Sequence, residues 1–405
     1  MLSVSPFKAV RPSRDKAHLV ASRSYVSYTP RQLRSKLTEN PFSFLHIIHP
    51  DMSATKLHKT AELDERFKLV NKKYHQFLEE EILMREENAA YYIYRQIKNG
   101  HPFTGIIAAI SVKDYLEGRV KVHEQTLSKR EETFVKYLDI TQINAEPVLL
   151  MAKNNTAIED IFEKYLDSRP EYDFTTTNKV RHQLWVINQH DDIKKITDAY
   201  GSMDAVYIAD GHHRSSSSAK LYEKRKNPQM TGGEPWNYCL AYILDETNVR
   251  IYEFNRIVKD LNGHEEAAFL DLIRKSFYLN EAPGNYRPMG KGEFSMYLNK
   301  QWYSLNLKHA SSELDAQILS DKILGPILGI TDLRRDKRIS FMEGPRGLDG
   351  LKHAVDKNKD GVGFGLFPVT INELKSIADS GKSMPPKSTW VEPKLRSGLI
   401  VYELT

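Results

Sequence analysis

The sequence is poor in the features that would place it in a membrane or an oxidising compartment. It has one cysteine in 405 residues, Cys239, so no internal disulfide can form and a disulfide-stapled secreted scaffold is excluded. A reducing compartment fits, and a cytoplasmic location is the expectation. No stretch approaches the ~18 consecutive apolar residues of a membrane-spanning helix, so no membrane partner is expected. No internal repeat is visible, and the only low-complexity tract is Ser215 to Ser218. Neither sign of charge dominates: 58 basic against 53 acidic residues leave a formal charge of +5, spread along the chain. What remains is an ordinary globular composition, 40% hydrophobic and 27% charged, long enough for two or three domains. Cys239 lies in the apolar run Tyr238 to Leu244 and reads as a small buried hydrophobe.

Residues 1–36 depart from this balance, with Lys8, Arg11, Arg14, Lys16, Arg23, Arg31, Arg34 and Lys36 against Asp15 alone. The composition is that of a transit peptide, yet Pro6, Pro12 and Pro30 interrupt any amphipathic helix. We read the segment as part of the folded protein, with a basic surface able to meet an anion.

Periodicity organises the rest. Apolar residues Phe67, Val70, Tyr74, Phe77 and Leu78 mark a helix within Leu63 to Met84. Ala90 to Ile97, Asn99-Gly100 and Phe103 to Ile110 read as strand, tight turn and strand, and Ser111 as the cap of a short helix. Val148 to Met151 reads as a buried strand, followed by a helix facing inward through Ile158, Ile161, Phe162 and Tyr165. Leu184 to Ile187, Asp191 to Tyr200, Ala205 to Ala209 and about Ser215 to Arg225 alternate strand and helix, which favours α/β packing. Trp185 reads as core. Tyr238 to Leu244 and Val249 to Phe254 are expected to form a hairpin around Asp245 to Asn248. Beyond a loop at Asn280 to Gly292, alternation in Phe294 to Leu307 predicts a second hairpin. Helices are expected at Leu314 to Leu324 and, behind a Thr370-x-x-Glu373 capping box, at Asn372 to Ser380. An α/β half is thus followed by an α+β half, with the boundary at 257/258.

Three short motifs fail on chemistry. Gly381-Lys382-Ser383 lacks the first glycine of a phosphate-binding loop, since Ser376 stands there, and it ends a helix instead of opening one. His123-Glu124 has Leu127 where a zinc protease needs its second histidine. Asp356 to Gly361 starts like a calcium loop but places Phe367 at the twelfth position.

One segment concentrates reactive side chains. The apolar run Ala205 to Ala209 stops at Asp210, Gly211 permits a tight turn, and His212, His213 and Arg214 follow. A helix starting nearby, with Ser215 to Ser218 as capping hydroxyls, puts these residues where free amides and the helix dipole favour a phosphate. Arg214 adds a forked donor for phosphate oxygens, and Asp210 can hold a magnesium ion or orient a histidine.

Tyr207 to Arg214 resembles the signature of a large bacterial and archaeal family known only as a domain of unknown function. The resemblance spans nearly the whole chain, through Pro6 to Pro12, Asn40 to His46, Lys121 to Thr126, His182 to Trp185 and Met384 to Leu395. Ser22 to Ser27 departs from it, standing where a proline pair and an aspartate are expected. More remotely, Asp210, Gly211, His212 and Arg214 are similar to the nucleotide-phosphate motif of the ParB-like superfamily, which joins partition CTPases, sulfiredoxin and free-serine kinases. The resemblance implies a ParB/sulfiredoxin-like mixed α/β domain over residues 1–257, carrying the nucleotide site, and an α+β domain over 258–405.

The loaded turn and the resemblance together imply a nucleotide-dependent phosphotransferase acting on a small hydroxyl metabolite, which by the resemblance is free L-serine, with ADP or ATP and Mg2+. Glu124 is the expected base, beside His123, with Asp210 as metal ligand and His212 as a further catalytic group. Gly211, His213, Arg214 and Ser215 would cradle the phosphates, and Lys387, Ser388 and Lys394 would close over them. Two alternatives use the same residues: a ParB-like nucleotide switch associated with DNA or a protein partner, and a metal-dependent hydrolase on Asp210, His212 and His213. Neither a recognition-helix pattern nor a sustained basic face with interleaved aromatics is present, which argues against a nucleic-acid partner.

Overall fold

The computed structural model describes residues 1–24, 27–48, 63–358 and 361–405. The chain divides into two compact units, one comprising Met1–Val249 with Pro393–Thr405 and the other Arg250–Glu392. The division falls before the boundary read from the sequence, and Pro393–Thr405 returns to the first unit. The strand Phe254–Val258, which the boundary read from the sequence leaves almost wholly in the preceding half, pairs instead with Ile339–Glu343 and Val362–Gly365 of the second unit.

The first unit opens with β1 (Val4–Ser5), β2 (Val10–Pro12), α1 (Ala17–Val20), α2 (Pro30–Glu39), α3 (Leu45–Ile48) and α4 (Leu63–Glu79). Pro30 begins a helix instead of breaking one: it sits in the first turn behind Thr29, whose side chain accepts from Gln32 N in a full capping box. β3 (Leu83–Arg85), β4 (Tyr91–Lys98), β5 (His101–Ser111), α5 (Val112–Leu116), β6 (Val120–Lys121), α6 (Ser128–Thr141), β7 (Ile143–Asn144) and β8 (Val148–Ala152) follow. Then come α7 (Thr156–Leu166), β9 (Tyr172–Thr175), β10 (Arg181–Ile187), α8 (His190–Gly201), β11 (Val206–Asp210), α9 (His212–Arg225) and β12 (Tyr238–Asp245).

Among the described residues these strands build a nine-stranded mixed sheet in the order β6-β11-β8-β12-β5-β4-β10-β9, with β1 beside β5. Asn99 and Gly100, both at positive φ, make the two-residue turn between β4 and β5. Ser111 caps α5 by accepting from Lys113 N at 3.2 Å. The pleat sorts side chains between the faces. Tyr91, Ile93, Ile106, Ile208, Ile243 and Trp185 enter one continuous apolar core, against which residues of α7 and α8 pack. The opposite face carries Tyr92, Tyr94, Gln96 and His182, all buried. β12 pairs with β5 and β8 alone, so the hairpin expected with Val249 to Phe254 does not form. Cys239 is buried and free, as its apolar surroundings imply.

The second unit contains β13 (Arg250–Tyr252), β14 (Phe254–Val258), α10 (Glu266–Arg274), β15 (Phe277–Ala282), β16 (Glu293–Leu298), β17 (Gln301–Leu307), α11 (Asp315–Leu319), β18 (Ile339–Glu343), α12 (Gly347–Asp356), β19 (Val362–Gly365), α13 (Ile371–Asp379) and β20 (Trp390–Glu392). Its six-stranded sheet runs β15-β17-β16-β19-β14-β18, while β13 pairs with β20. The β16–β17 hairpin turns on Asn299 and Lys300, and the capping box of Thr370 and Glu373 is formed. The helix expected over Leu314 to Leu324 is α11 running into a π-helical turn, Ser320–Leu324. Residues 359 and 360 of the calcium-like segment, and Tyr25 and Val26 of the segment that departs from the family pattern, lie outside the described residues. β21 (Tyr402–Glu403) pairs with β7 in the first unit. No helix of the described residues is long and apolar enough to cross a membrane.

Gly105 makes the sheet register testable. It lies in β5 between Leu244 and Tyr94, and a Cβ there would sit 2.3 Å from the carbonyl oxygen of Ile243. Gly105→Ala must push two paired strands apart, so we expect a loss of about 2 kcal/mol or more by urea unfolding. Gly233→Ala, whose Cβ would meet only Thr231 Oγ1 at an ordinary 3.9 Å, is the silent control. A wild-type midpoint for Gly105→Ala would contradict the register.

Candidate functional site

β11 is an interior strand, paired in parallel with β6 and antiparallel with β8, with an irregularity between Ile208 and Asp210. It ends at Asp210, and α9 begins two residues later. Between them Gly211 takes φ +109°, and a Cβ on it would lie 3.3 Å from Val148 Cα and from Arg214 Nη1. The positive φ favours glycine here, and the tight approach adds to the cost of any side chain. The helix starts at His212, earlier than the serines suggested, so Ser215 to Ser218 are not caps. All four are buried, and the hydroxyls of Ser216 and Ser217 donate back to the His213 carbonyl at 3.2 and 2.6 Å.

The residues after β6 meet this turn from the side. His123 and His212 are buried with their rings edge to face, centroids 4.4 Å apart. The backbone N–H of His123 donates to His212 Nε2 at 3.4 Å, which leaves the proton of a neutral His212 on Nδ1. That Nδ1 lies 3.8 Å from Glu124 Oε2, whose side chain is half exposed. The His123 ring hydrogen-bonds the Ile208 carbonyl, while its Nδ1 is buried with no hydrogen-bond partner among the described residues. Glu124, His123, His212 and Asp210, picked as catalytic candidates, thus surround one strand end.

Two ion pairs frame them. Lys394 Nζ contacts Asp210 Oδ2 at 2.7 Å. Burial would raise the Asp210 carboxyl, but Lys394 and Arg214 overcome it and bring it down to about 2. Arg214, assigned to phosphate by the sequence, is occupied otherwise: Nη2 donates to Glu146 Oε2 at 2.7 Å and Nη1 to the Pro147 carbonyl at 3.0 Å. Ser397 Oγ donates to the other Glu146 oxygen at 2.8 Å. Arg214 therefore fastens α9 to the entry of β8. Sequence reasoning missed Glu146 and Ser397, because the contacts that give them meaning span 68 and 251 residues. Glu146-Pro147, standing directly before an apolar run, was the one available signal. Lys387 and Ser388 belong to the second unit, where Lys387 Nζ lies over the Phe254 ring and Ser388 Oγ donates to the Pro385 carbonyl.

Among the described residues no group of three His, Cys, Asp or Glu side chains is placed to hold a metal ion. Asp210, ionised and 44% exposed, can give Mg2+ one ligand, a fit for an ion that commonly takes one or two carboxylates and fills its shell with water and phosphate oxygens. A cleft of about 270 Å³ in the same unit is lined by Arg14, His18, Arg169 and Phe174 among others, and by none of residues 210–214.

Burial brings the His123 imidazole down to about 4 against the pull of Asp210, and holds His212 well below its ordinary value. For both, the unfolded chain takes up protons first as the pH falls. Their contribution is therefore fully present above about pH 6.5 and is lost between there and about pH 4. His123→Gln should flatten the acid side of the stability curve near pH 5 by up to about 1.4 kcal/mol per pH unit, read from urea midpoints at pH 7, 5.5 and 4.5. An unchanged slope would mean that His123 is not buried and neutral.

No curated protein matches this sequence. Solved structures with similarity include a mutant free serine kinase in complex with ADP, at 16% identity and TM-score 0.40, covering 74% of this chain and 92% of that one. A C-terminally truncated SbnI from Staphylococcus aureus is similar at 13% identity and TM-score 0.40, covering 72% and 85%. A conserved hypothetical protein from Pyrococcus furiosus is similar at 16% and 0.39, covering 76% and 97%. The family model described as "Protein of unknown function (DUF1015)" matches residues 4–323, and the chain belongs to that family.

Proposed function

We propose that the strand end at Asp210 to Arg214 is a phosphotransferase site, moving a phosphoryl group from a nucleoside di- or triphosphate to a small hydroxyl metabolite such as free L-serine. The observation that carries this is the convergence of one ionised carboxylate, one half-exposed carboxylate and a buried neutral histidine pair on a left-handed glycine at a helix N-terminus. The Asp-Gly-His-x-Arg resemblance to free-serine kinases supports the same reading.

Phosphoryl transfer needs positioned charge more than covalent chemistry. The first turn of α9 presents amides and the positive end of its dipole to the donor phosphates. Lys394, exposed enough to exchange Asp210 for a phosphate oxygen, follows the transferring charge. Glu124 takes the proton of the acceptor hydroxyl, and His212, with its proton on the nitrogen facing Glu124, holds that carboxylate in place. Asp210 would hold Mg2+, which when bound neutralises phosphate charge. Arg214 acts as a brace for α9, so its removal should cost stability as well as activity. A metal-dependent hydrolase on Asp210, His212 and His213 is disfavoured, because the lone pair of His212 Nε2 already accepts from the His123 amide.

The test is phosphoserine formation from serine with ADP or ATP, preceded by thermal-shift screening with ADP, ATP, CTP and serine with and without Mg2+. Glu124→Gln should fold normally and lose roughly a hundred- to ten-thousandfold in rate. Asp210→Asn should lose chiefly the Mg2+-dependent part, and Arg214→Lys should lower both the melting temperature and the rate. A wild type inert with every donor and small alcohol, and unmoved by every nucleotide, would refute the proposal. An active Glu124→Gln would leave the reaction and remove its base.

A further inference from the structure

We propose that Arg396, Arg23 and His182 form a second binding site in the first unit, for a small oxyanion bearing a phosphate or carboxylate group. The site is independent of the phosphotransferase reading and lies on the sheet face opposite the apolar core.

Arg396 is only 9% exposed, and no carboxylate pairs with it among the described residues. Its guanidinium donates only to neutral oxygens, Thr176 Oγ1 at 3.1 Å and Asn178 Oδ1 at 2.7 Å, both through Nη2. The groups that face it are another cation, Arg23, and the neutral phenols of Tyr94 and Tyr28. Arg23 is itself stacked on Tyr28, 4.5 Å from the ring centroid, and no acid pairs with it among the described residues. Ser22 pairs antiparallel with Ser397, which brings Arg23 and Arg396 to neighbouring positions. Two guanidinium groups so placed, one of them out of water, are costly in a folded protein unless an anion joins them.

His182 supplies the third donor. It is buried, lying between the rings of Tyr94 and Phe174. Its Nδ1 lies 2.7 Å from the Tyr94 hydroxyl, so with Tyr94 as donor the other nitrogen, Nε2, carries the proton. That Nε2 is buried without a partner among the described residues. Arg396 is close enough to disfavour protonation of the ring, after burial itself. Gln96, directly across the β4–β10 ladder from His182, also has its amide nitrogen buried without a partner among the described residues. Two donors buried without a partner among the described residues, His182 Nε2 and Gln96 Nε2, thus accompany the guanidinium groups, which is the pattern of a site made for an oxyanion. Phe174 also lines the cleft that carries Arg14, His18 and Arg169.

Structural and ligand-binding roles for Arg396 predict opposite outcomes. The experiment measures melting temperature and binding heat with inorganic phosphate, pyrophosphate and oxalate, at fixed ionic strength against chloride, on wild type, Arg396→Met, Arg396→Lys and Arg23→Met. We expect the wild type to respond to at least one oxyanion beyond chloride, and the phosphate and oxalate arms decide which group is preferred. Arg396→Met and Arg23→Met should each weaken that binding roughly tenfold or more, with partial recovery in Arg396→Lys. Without anion, Arg396→Met should melt at or above the wild-type temperature, because an unmatched buried charge has been replaced by an apolar chain. The proposal is overturned if no oxyanion acts beyond chloride, or if both methionine variants keep the wild-type response. Arg23→Met keeps the test decisive should Arg396→Met fail to fold. Only simple anions are added, so a chain inert toward every nucleotide could still bind or ignore them, and the two readings fail separately.

Discussion

A left-handed glycine, Gly211, joins the end of β11 to the start of α9 at φ +109°, with Val148 Cα only 3.3 Å from where a Cβ would lie. That one conformation turns the chain sharply enough for His212 to reach the amide of His123 and for Arg214 to reach Glu146 on the neighbouring strand's approach. Any other residue would have to bear both the conformational cost and the contact. The remaining geometry of the strand end follows: Asp210 faces Lys394, and Glu124 faces the protonated nitrogen of His212.

The segment Pro393–Thr405 completes the arrangement. Within four residues, Lys394 meets Asp210, Arg396 enters the buried polar face of the sheet, and Ser397 meets Glu146. Its backbone is fixed by the pairing of Ser397 with Ser22 and of Val401 with Val10. Residues far apart in sequence thus set the charge balance of a turn that is itself only five residues long. Such distributed charge is costly to bury and persists where neighbouring groups compensate it.

The legible parts of the sequence were those governed by local physics. Asn99-Gly100 fixed a hairpin, Ser111 and Thr370 fixed helix starts, and the apolar run ending at Asp210 located the loaded turn. Local signals misled where tertiary packing competed with them. Ser215 to Ser218 suggested a polar cap but lie buried within α9, with the hydroxyls of Ser216 and Ser217 returned to the backbone. Pro30 suggested a break and opened a helix, since the first turn has no use for its missing N–H. β13 suggested a partner in β12 and found β20, far along the chain, because strand pairing obeys burial and not sequence distance. Arg214 was legible as important but not as a brace, since its partners Glu146 and Pro147 leave no mark near it in the chain.

The central claim is that donor phosphates sit on the first turn of α9. The most direct measurement is a crystal structure of the protein with ADP and Mg2+. The terminal phosphate should lie against the amides of His212 and His213, with the Lys394 ammonium moved from Asp210 onto a phosphate oxygen and Gly211 unchanged. Nucleotide bound elsewhere, with Lys394 still on Asp210 and the turn empty of phosphate, would contradict it.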